Sequence, residues 1–163
     1  MKTVNGFTYG NVGSISSGTM RTEDLIPDFL WELKRLAMAN KNQSHLDLVA
    51  EIQSRIDAGE NDENDNPYWD SDDASYDLND SLFDALNEYA LPYFYFGSHP
   101  GDGSDYGFWL SDELEFEFEG LKVEDTSEVP DDYKGEVLYV NDHGNMTLFS
   151  ANKGELTEIW GIV

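Results

Sequence analysis

The segment His99-Pro100-Gly101-Asp102-Gly103-Ser104-Asp105 sets an imidazole and two carboxylates on a glycine-rich stretch between aromatic runs. Such groups bind divalent metals or exchange protons near neutral pH, which makes His99, Asp102 and Asp105 the candidate metal-binding or acid–base residues. Their spacing fits neither a zinc pattern nor a calcium loop, which needs more oxygen ligands in fixed order and a distal Glu. The plainer expectation is a long hairpin loop whose glycines take positive φ and whose Asp side chains accept nearby backbone N–H groups. Ser98, His99 and Asp102 assemble into a triad only on paper, since no nucleophile elbow surrounds the serine. His143, within the turn sequence Asp142-His143-Gly144-Asn145, and His45, after a helix cap, are expected at the surface. Gly10-Asn11-Val12-Gly13-Ser14 lacks the Walker lysine and the Rossmann glycine spacing, and reads as a turn or arm. The absence of Cys removes thiolate zinc sites, disulfides and cysteine nucleophiles together. No catalytic residue and no cofactor is assigned.

Carboxylates are the more unusual feature. Thirty-four Asp and Glu face nine Lys and Arg in 163 residues, a net charge of -25. Most of the acids therefore have no internal cation and must be solvated or directed at a basic ligand. Nucleic acid and anionic membrane are excluded as direct partners by repulsion. Between Arg55 and Lys122 there is no Lys or Arg at all, while acids continue throughout. Glu113-Leu114-Glu115-Phe116-Glu117-Phe118-Glu119 alternates acid and apolar residue. As a half-buried strand it would set Glu113, Glu115, Glu117 and Glu119 in a row about 6.6–6.8 Å apart. Asp73, Asp77, Asp80 and Asp84, at helical steps of three and four, would form a second row. These eight residues are the candidate partner-binding positions.

The elements that must carry them are legible from periodicity. Leu25, Phe29, Leu33 and Leu36 predict a helix over 22–39, capped by Thr22 with Pro27 near its start. Ser44 is a cap for a second helix carrying Leu48, Val49, Ile52 and Ile56, with Gly59 as its C′ residue. Glu60 to Asn66 reads as an acidic loop. Leu78, Leu82, Leu86 and Tyr89 predict a third helix over 73–89, ended by Pro92. Two aromatic runs, 93–97 and 106–110, then flank the His99 loop as a hairpin, and 137–140, 146–149 and 156–160 predict a meander with tight turns. The predicted fold class is α+β: three N-terminal helices packed on a C-terminal antiparallel sheet of five or six strands. One domain over 1–163 is expected, helical over about 19–92 and β over about 93–163.

Two stretches, Gly18-Thr19-Met20-Arg21-Thr22-Glu23-Asp24-Leu25-Ile26-Pro27 and the run from Tyr95 to Trp109, together with Gly135 to Asn145, resemble short acidic proteins of tailed phages and mobile elements. The resemblance covers about half the chain and implies a context, with no activity or catalytic residue. In size and charge alone the chain is similar to the anti-restriction and anti-CRISPR DNA mimics of phages.

The function expected from these features is an acidic inhibitor or adaptor that binds the basic, nucleic-acid-binding surface of a host protein. The start Met1-Lys2-Thr3-Val4-Asn5-Gly6 lacks a secretory pattern, and no run approaches the ~20 apolar residues of a membrane helix, so a cytoplasmic protein is expected. Two alternatives stand beside it: a metal-binding protein or metal-dependent enzyme built on His99, Asp102 and Asp105, and a phage structural or assembly accessory protein.

Overall fold

The computed structural model describes residues 2–59 and 66–162. The expected acidic loop, apart from Asn66, lies outside the described residues. The chain divides into two compact units, Met1–Ser111 and Asp112–Val163.

The first unit opens with a short hairpin, β1 (Lys2–Val4) and β2 (Phe7–Tyr9). Its turn, Asn5-Gly6, has positive φ at both positions, as a tight two-residue hairpin requires. Strand β3 (Gly13–Ser17) follows, then helices α1 (Thr22–Asn40) and α2 (Gln43–Gly59). A 3-10 turn at Pro67–Asp70 leads into α3 (Asp72–Tyr76), which continues through a π-helical segment, Asp77–Leu82, into α4 (Phe83–Asn87). Strands β4 (Phe94–His99) and β5 (Asp102–Leu110) complete the unit, in a sheet of order β3-β5-β4 that is antiparallel throughout.

The predicted periodicity is realised in the core. Leu25, Phe29, Leu33 and Leu36 of α1 are all buried and meet Ile52, Leu82 and Leu86. Phe96 and Phe108 close the core from the sheet, with Phe29 edge-on to Phe96 at 5.0 Å and Phe96 to Phe108 at 5.1 Å. Strand β3 carries one strong strand former, Ile15, and its sequence reads as an arm. What pins it to β5 is backbone proximity. A Cβ on Gly107 would fall 2.0 Å from the Gly13 carbonyl oxygen, so only glycine lets the two strands come together there.

The caps differ from expectation. Arg21, not Thr22, is the N-cap of α1 and makes no side-chain cap bond, and the helix ends on Lys41 in the left-handed region at φ 56. Asn42 caps α2 in place of Ser44: its Oδ1 accepts from the His45 N–H at 3.3 Å and from the Ser44 hydroxyl at 2.8 Å. Gly59 is the last residue of α2 rather than a left-handed C′ residue, and a Cβ there would collide with Asn66 Oδ1 at 2.0 Å.

The second unit holds a single-turn helix α5 (Leu114–Glu117) and a sheet of order β6-β7-β8-β9. The predicted meander is present as β7 (Lys134–Val140), β8 (Met146–Asn152) and β9 (Glu155–Ile162), and β6 (Leu121–Val123) adds to β7 in parallel. Lys153-Gly154 makes the β8–β9 turn with positive φ at both residues. Val137 of β7 and Leu148 of β8 are fully buried, at adjacent register positions and therefore on opposite faces of this sheet.

The α+β class stands, but its predicted arrangement does not. The helices pack with a three-stranded sheet that includes an N-terminal strand, and the C-terminal strands form a sheet of their own. The five to six strands expected in one sheet are therefore divided between units. The predicted strand 113–119 is also overturned. Leu114 and Phe118 are buried four residues apart, on one face of a helical turn, while Phe116 is 88% exposed. Glu and Leu favour helix, and Glu is depleted in strands, so the alternation was a coincidence of spacing.

The two geometries differ in a measurable way. Phe118→Ala is expected to destabilise by about 3–5 kcal/mol and Phe116→Ser by under about 0.5 kcal/mol in denaturant unfolding. Equal losses at the two positions would restore the strand.

Candidate functional site

The His99 hairpin is tighter than predicted. His99 pairs with Asp102 across the two-residue connection Pro100-Gly101. His99 Nδ1 accepts the Gly101 N–H at 3.0 Å, and its ring stands edge-on to Trp109 at 4.6 Å. Asp102 Oδ1 accepts from the backbone N–H of Ser104 at 3.0 Å and from its hydroxyl at 2.8 Å, and these bonds hold the carboxyl below its ordinary pKa. Asp105 sits opposite Ser17 in the sheet, with a buried Oδ1 that has no hydrogen-bond partner among the described residues. The three side chains are turn-forming or sheet-bound, and no group of three or more His, Asp or Glu that could hold a metal occurs among the described residues. Ser98 is exposed, and its carbonyl accepts from the Tyr95 hydroxyl at 3.0 Å.

His45 is buried rather than at the surface, 8% exposed. Its Nδ1 lies 2.8 Å from the Tyr89 hydroxyl and 3.1 Å from Asn42 Nδ2, and its Nε2 lies 3.6 Å from Glu88. Burial raises the Tyr89 phenol above its ordinary pKa. Aromatic neighbours explain the burial, because the Tyr89 ring is edge-on to His45 and stacks on Phe7. His143 is exposed in its turn, as expected.

Of the helical acid row, Asp73, Asp80 and Asp84 are exposed and Asp77 is not. Asp77 is 1% exposed. Its carboxylate accepts from Arg55 Nη1 at 2.6 and 2.8 Å and from the Tyr68 hydroxyl at 2.9 Å. Arg55 Nη2 also reaches Glu51 at 2.5 Å. The hydrogen bond to Asp77 raises the guanidinium pKa, and burial, followed by the bond to Asp77, pushes the Tyr68 phenol well above its usual range. The π segment begins at Asp77. An i→i+5 turn holds one residue more than an α turn, so positions beyond it slip by one against those before it. The exposed stripe then runs through Asp72, Tyr76, Asp80, Asp84 and Glu88 at a constant step of four.

The strand row fails altogether. Glu113, Glu117 and Glu119 are exposed on and around a helical turn, and the side chain of Glu115 lies outside the described part of the chain. Among the described side chains, Glu113, Glu117 and Glu119 do not form a strand-spaced row. The signal missed in the sequence is the cation side of the same balance. Arg35 bonds Glu32, which is 1% exposed, through Nε at 2.8 Å and again through Nη2. Arg55 and Arg35 are thus committed to carboxylates withdrawn from water. Among the described residues no salt bridge reaches Asp72, Asp80 or Asp84.

The chain matches no protein-family model, no curated protein and no solved structure. Among the described residues no helix is long and apolar enough to cross a membrane.

Removing Arg55 strands a buried carboxylate. Arg55→Ala is expected to cost about 2–3 kcal/mol in denaturant unfolding, below the ~3–5 kcal/mol of a wholly buried pair because the Arg55 side chain is 36% exposed. Asp84→Asn is expected to leave the unfolding midpoint unchanged. Tyr68 and Tyr89 have folded pKa values above their unfolded value of about 10, so their contribution is complete below about pH 10 and is lost as pH rises past it. A phenolate absorbance titration should therefore leave these two of the nine tyrosines neutral until the chain unfolds at alkaline pH. Titration of all nine together near pH 10 would contradict their burial.

Proposed function

We propose that this chain is an acidic adaptor or inhibitor that binds the basic, nucleic-acid-binding surface of a partner protein, in the manner of a DNA mimic. Its support is a distribution of charge. Arg55 and Arg35 are directed at Asp77, Glu51 and Glu32, while Asp72, Asp73, Asp80, Asp84 and Glu88 are exposed on one helical segment of a chain with no cation between residues 56 and 121. Acids so placed sum to a negative field that draws a cationic surface and repels nucleic acid. The row is carried by a packed helix, which fixes the spacing of its carboxylates in advance of binding. The resemblance to short acidic phage proteins sets this reading in counter-defence against a host nucleic-acid-binding protein, in the host cytoplasm.

Ion pairing and counterion displacement dominate such a complex, so its affinity should fall steeply as salt rises. The partner captured on the immobilised protein from host lysate, then titrated at increasing ionic strength, provides the measurement. The expected result is a linear fall of log affinity with log salt, with Asp80→Lys combined with Asp84→Lys weakening binding at least about tenfold at unchanged circular dichroism. A complex whose affinity stays constant between low and moderate salt removes charge mimicry.

A further inference from the structure

Helices α1 and α2 are joined by two residues, Lys41 and Asn42, and so lie side by side as antiparallel neighbours. Between them runs an open groove of about 570 Å³, lined by Pro27, Leu30 and Trp31 of α1, Val49 and Ile56 of α2, and Trp69 of the following 3-10 turn. Its surface is chiefly apolar, yet it stands open. Trp31 is 67% exposed, and Ala50, which also lines the groove, is exposed as well. An exposed Trp beside a half-buried one, on a floor of aliphatic side chains, is the composition of a binding hot spot.

Charge restricts what can cover it. Gln53 lines the groove and donates through Nε2 to exposed Asp57 at 2.8 Å. Asp28 lines the adjoining concavity together with Trp31, and exposed Asp70 follows Trp69 in the chain. Asp24, three residues before Pro27 on the same helix, is exposed too. These four acids adjoin the lining residues rather than line the groove, whose own lining carries one charged side chain, Lys34; Arg35 of the adjoining concavity is bound to Glu32. An apolar floor with an acidic rim fits a ligand that is apolar on one side and positively charged at its edges. A second copy of this chain brings a further -25 of charge to the contact and is opposed by it. Anionic lipid is repelled in the same way.

The length of the groove is equally specific. From Pro27 to Lys34 it follows seven residues of α1, about 10.5 Å at 1.5 Å per residue. Two turns of a docked helix cover that span and present apolar anchors at i, i+3, i+4 and i+7.

We propose that the α1–α2 groove docks a cationic amphipathic helix of a partner protein, with its apolar anchors between Trp31 and Trp69 and its Lys and Arg side chains on the acidic rim. The inference rests on the basic-partner reading above and identifies the element of that partner which is recognised.

Four dye-labelled synthetic peptides serve as probes. One has Leu at i, i+3, i+4 and i+7 with Lys elsewhere. The second has the same composition with Leu and Lys alternating. The third is oligolysine with the same number of lysines, and the fourth replaces each Lys of the first by Gln. Fluorescence anisotropy is measured at low and moderate salt with the unmodified protein, with Trp31→Ala and with Ala50→Gln, which fills the groove without changing charge. Both substitutions are at exposed positions, and circular dichroism verifies that the variants are folded. The expected result is that the first peptide binds on the order of tenfold or more tighter than the other three and loses at least that factor in both variants.

If all three cationic peptides bind alike and neither variant matters, the groove inference is overturned while the acidic-surface reading stands. If none binds even at low salt, both fall. Equal binding of the Gln peptide overturns a cationic occupant, and dimerisation of the protein alone that disappears in Trp31→Ala overturns it in favour of a second copy.

Discussion

Asp77 is a carboxylate withdrawn from water, and its bonds to Arg55 and Tyr68 tie together α2, the 3-10 turn and the helix that carries the exposed acids. A buried carboxylate without such partners is strongly destabilising, so the position of each of these elements is constrained by the others. The π segment begins at this residue. Asp77 faces inward three residues after buried Ala74, and Asp80 and Asp84, within and beyond the wider turn, face outward. The same arrangement commits Arg55, whose side chain is partly exposed, to Asp77 and Glu51. In a chain with nine cations and thirty-four acids, that commitment leaves one cation fewer to neutralise the exposed acids.

The aromatic residues supply the rest of the first unit's rigidity. Phe29, Phe83, Phe96 and Tyr106 meet in edge-on pairs with ring centroids 5.0–6.0 Å apart, which fixes α1 and α4 against the β4–β5 hairpin. Phe29 and Phe96 are buried in the core, and Phe83 and Tyr106 pack against it half-buried. His45 and Tyr89 extend the packing to Phe7 of the N-terminal hairpin. A polar ring is tolerated there because both its nitrogens have neighbours.

Periodicity was a sound guide wherever an element buries one face against its own unit. Leu25 to Leu36, Val49 to Ile56 and the meander strands are where spacing places them. The Asp142–Asn145 and Lys153-Gly154 turns follow from residues that accept positive φ. The failures have physical causes. Strand β3 is held by close backbone approach at Gly107, which leaves no apolar pattern to read. Asn5-Gly6 was a readable hairpin signal between strands of three residues each, too short to show alternation. The Glu113–Glu119 alternation misled because a helical turn buries i and i+4, and in this segment Leu114 and Phe118 satisfy both periods. For Asp77, sequence spacing carries no mark of a π turn, and pairing across 22 residues with Arg55 is a tertiary fact. The composition, by contrast, declared the acidic excess at once, and the exposed carboxylates of the helical stripe are where that excess becomes geometry.

Placement of charge, rather than its total, is the central claim, and a matched pair of variants tests it most directly. Asp80→Lys with Asp84→Lys changes the charge by the same amount as Asp131→Lys with Asp132→Lys, two exposed acids of the second unit. Association rates of each with a cationic peptide, measured by stopped flow at low ionic strength, isolate position from net charge. The helix pair should slow association several-fold more than the second-unit pair. Equal slowing by the two would mean that only net charge acts, and the directed acidic surface would be contradicted.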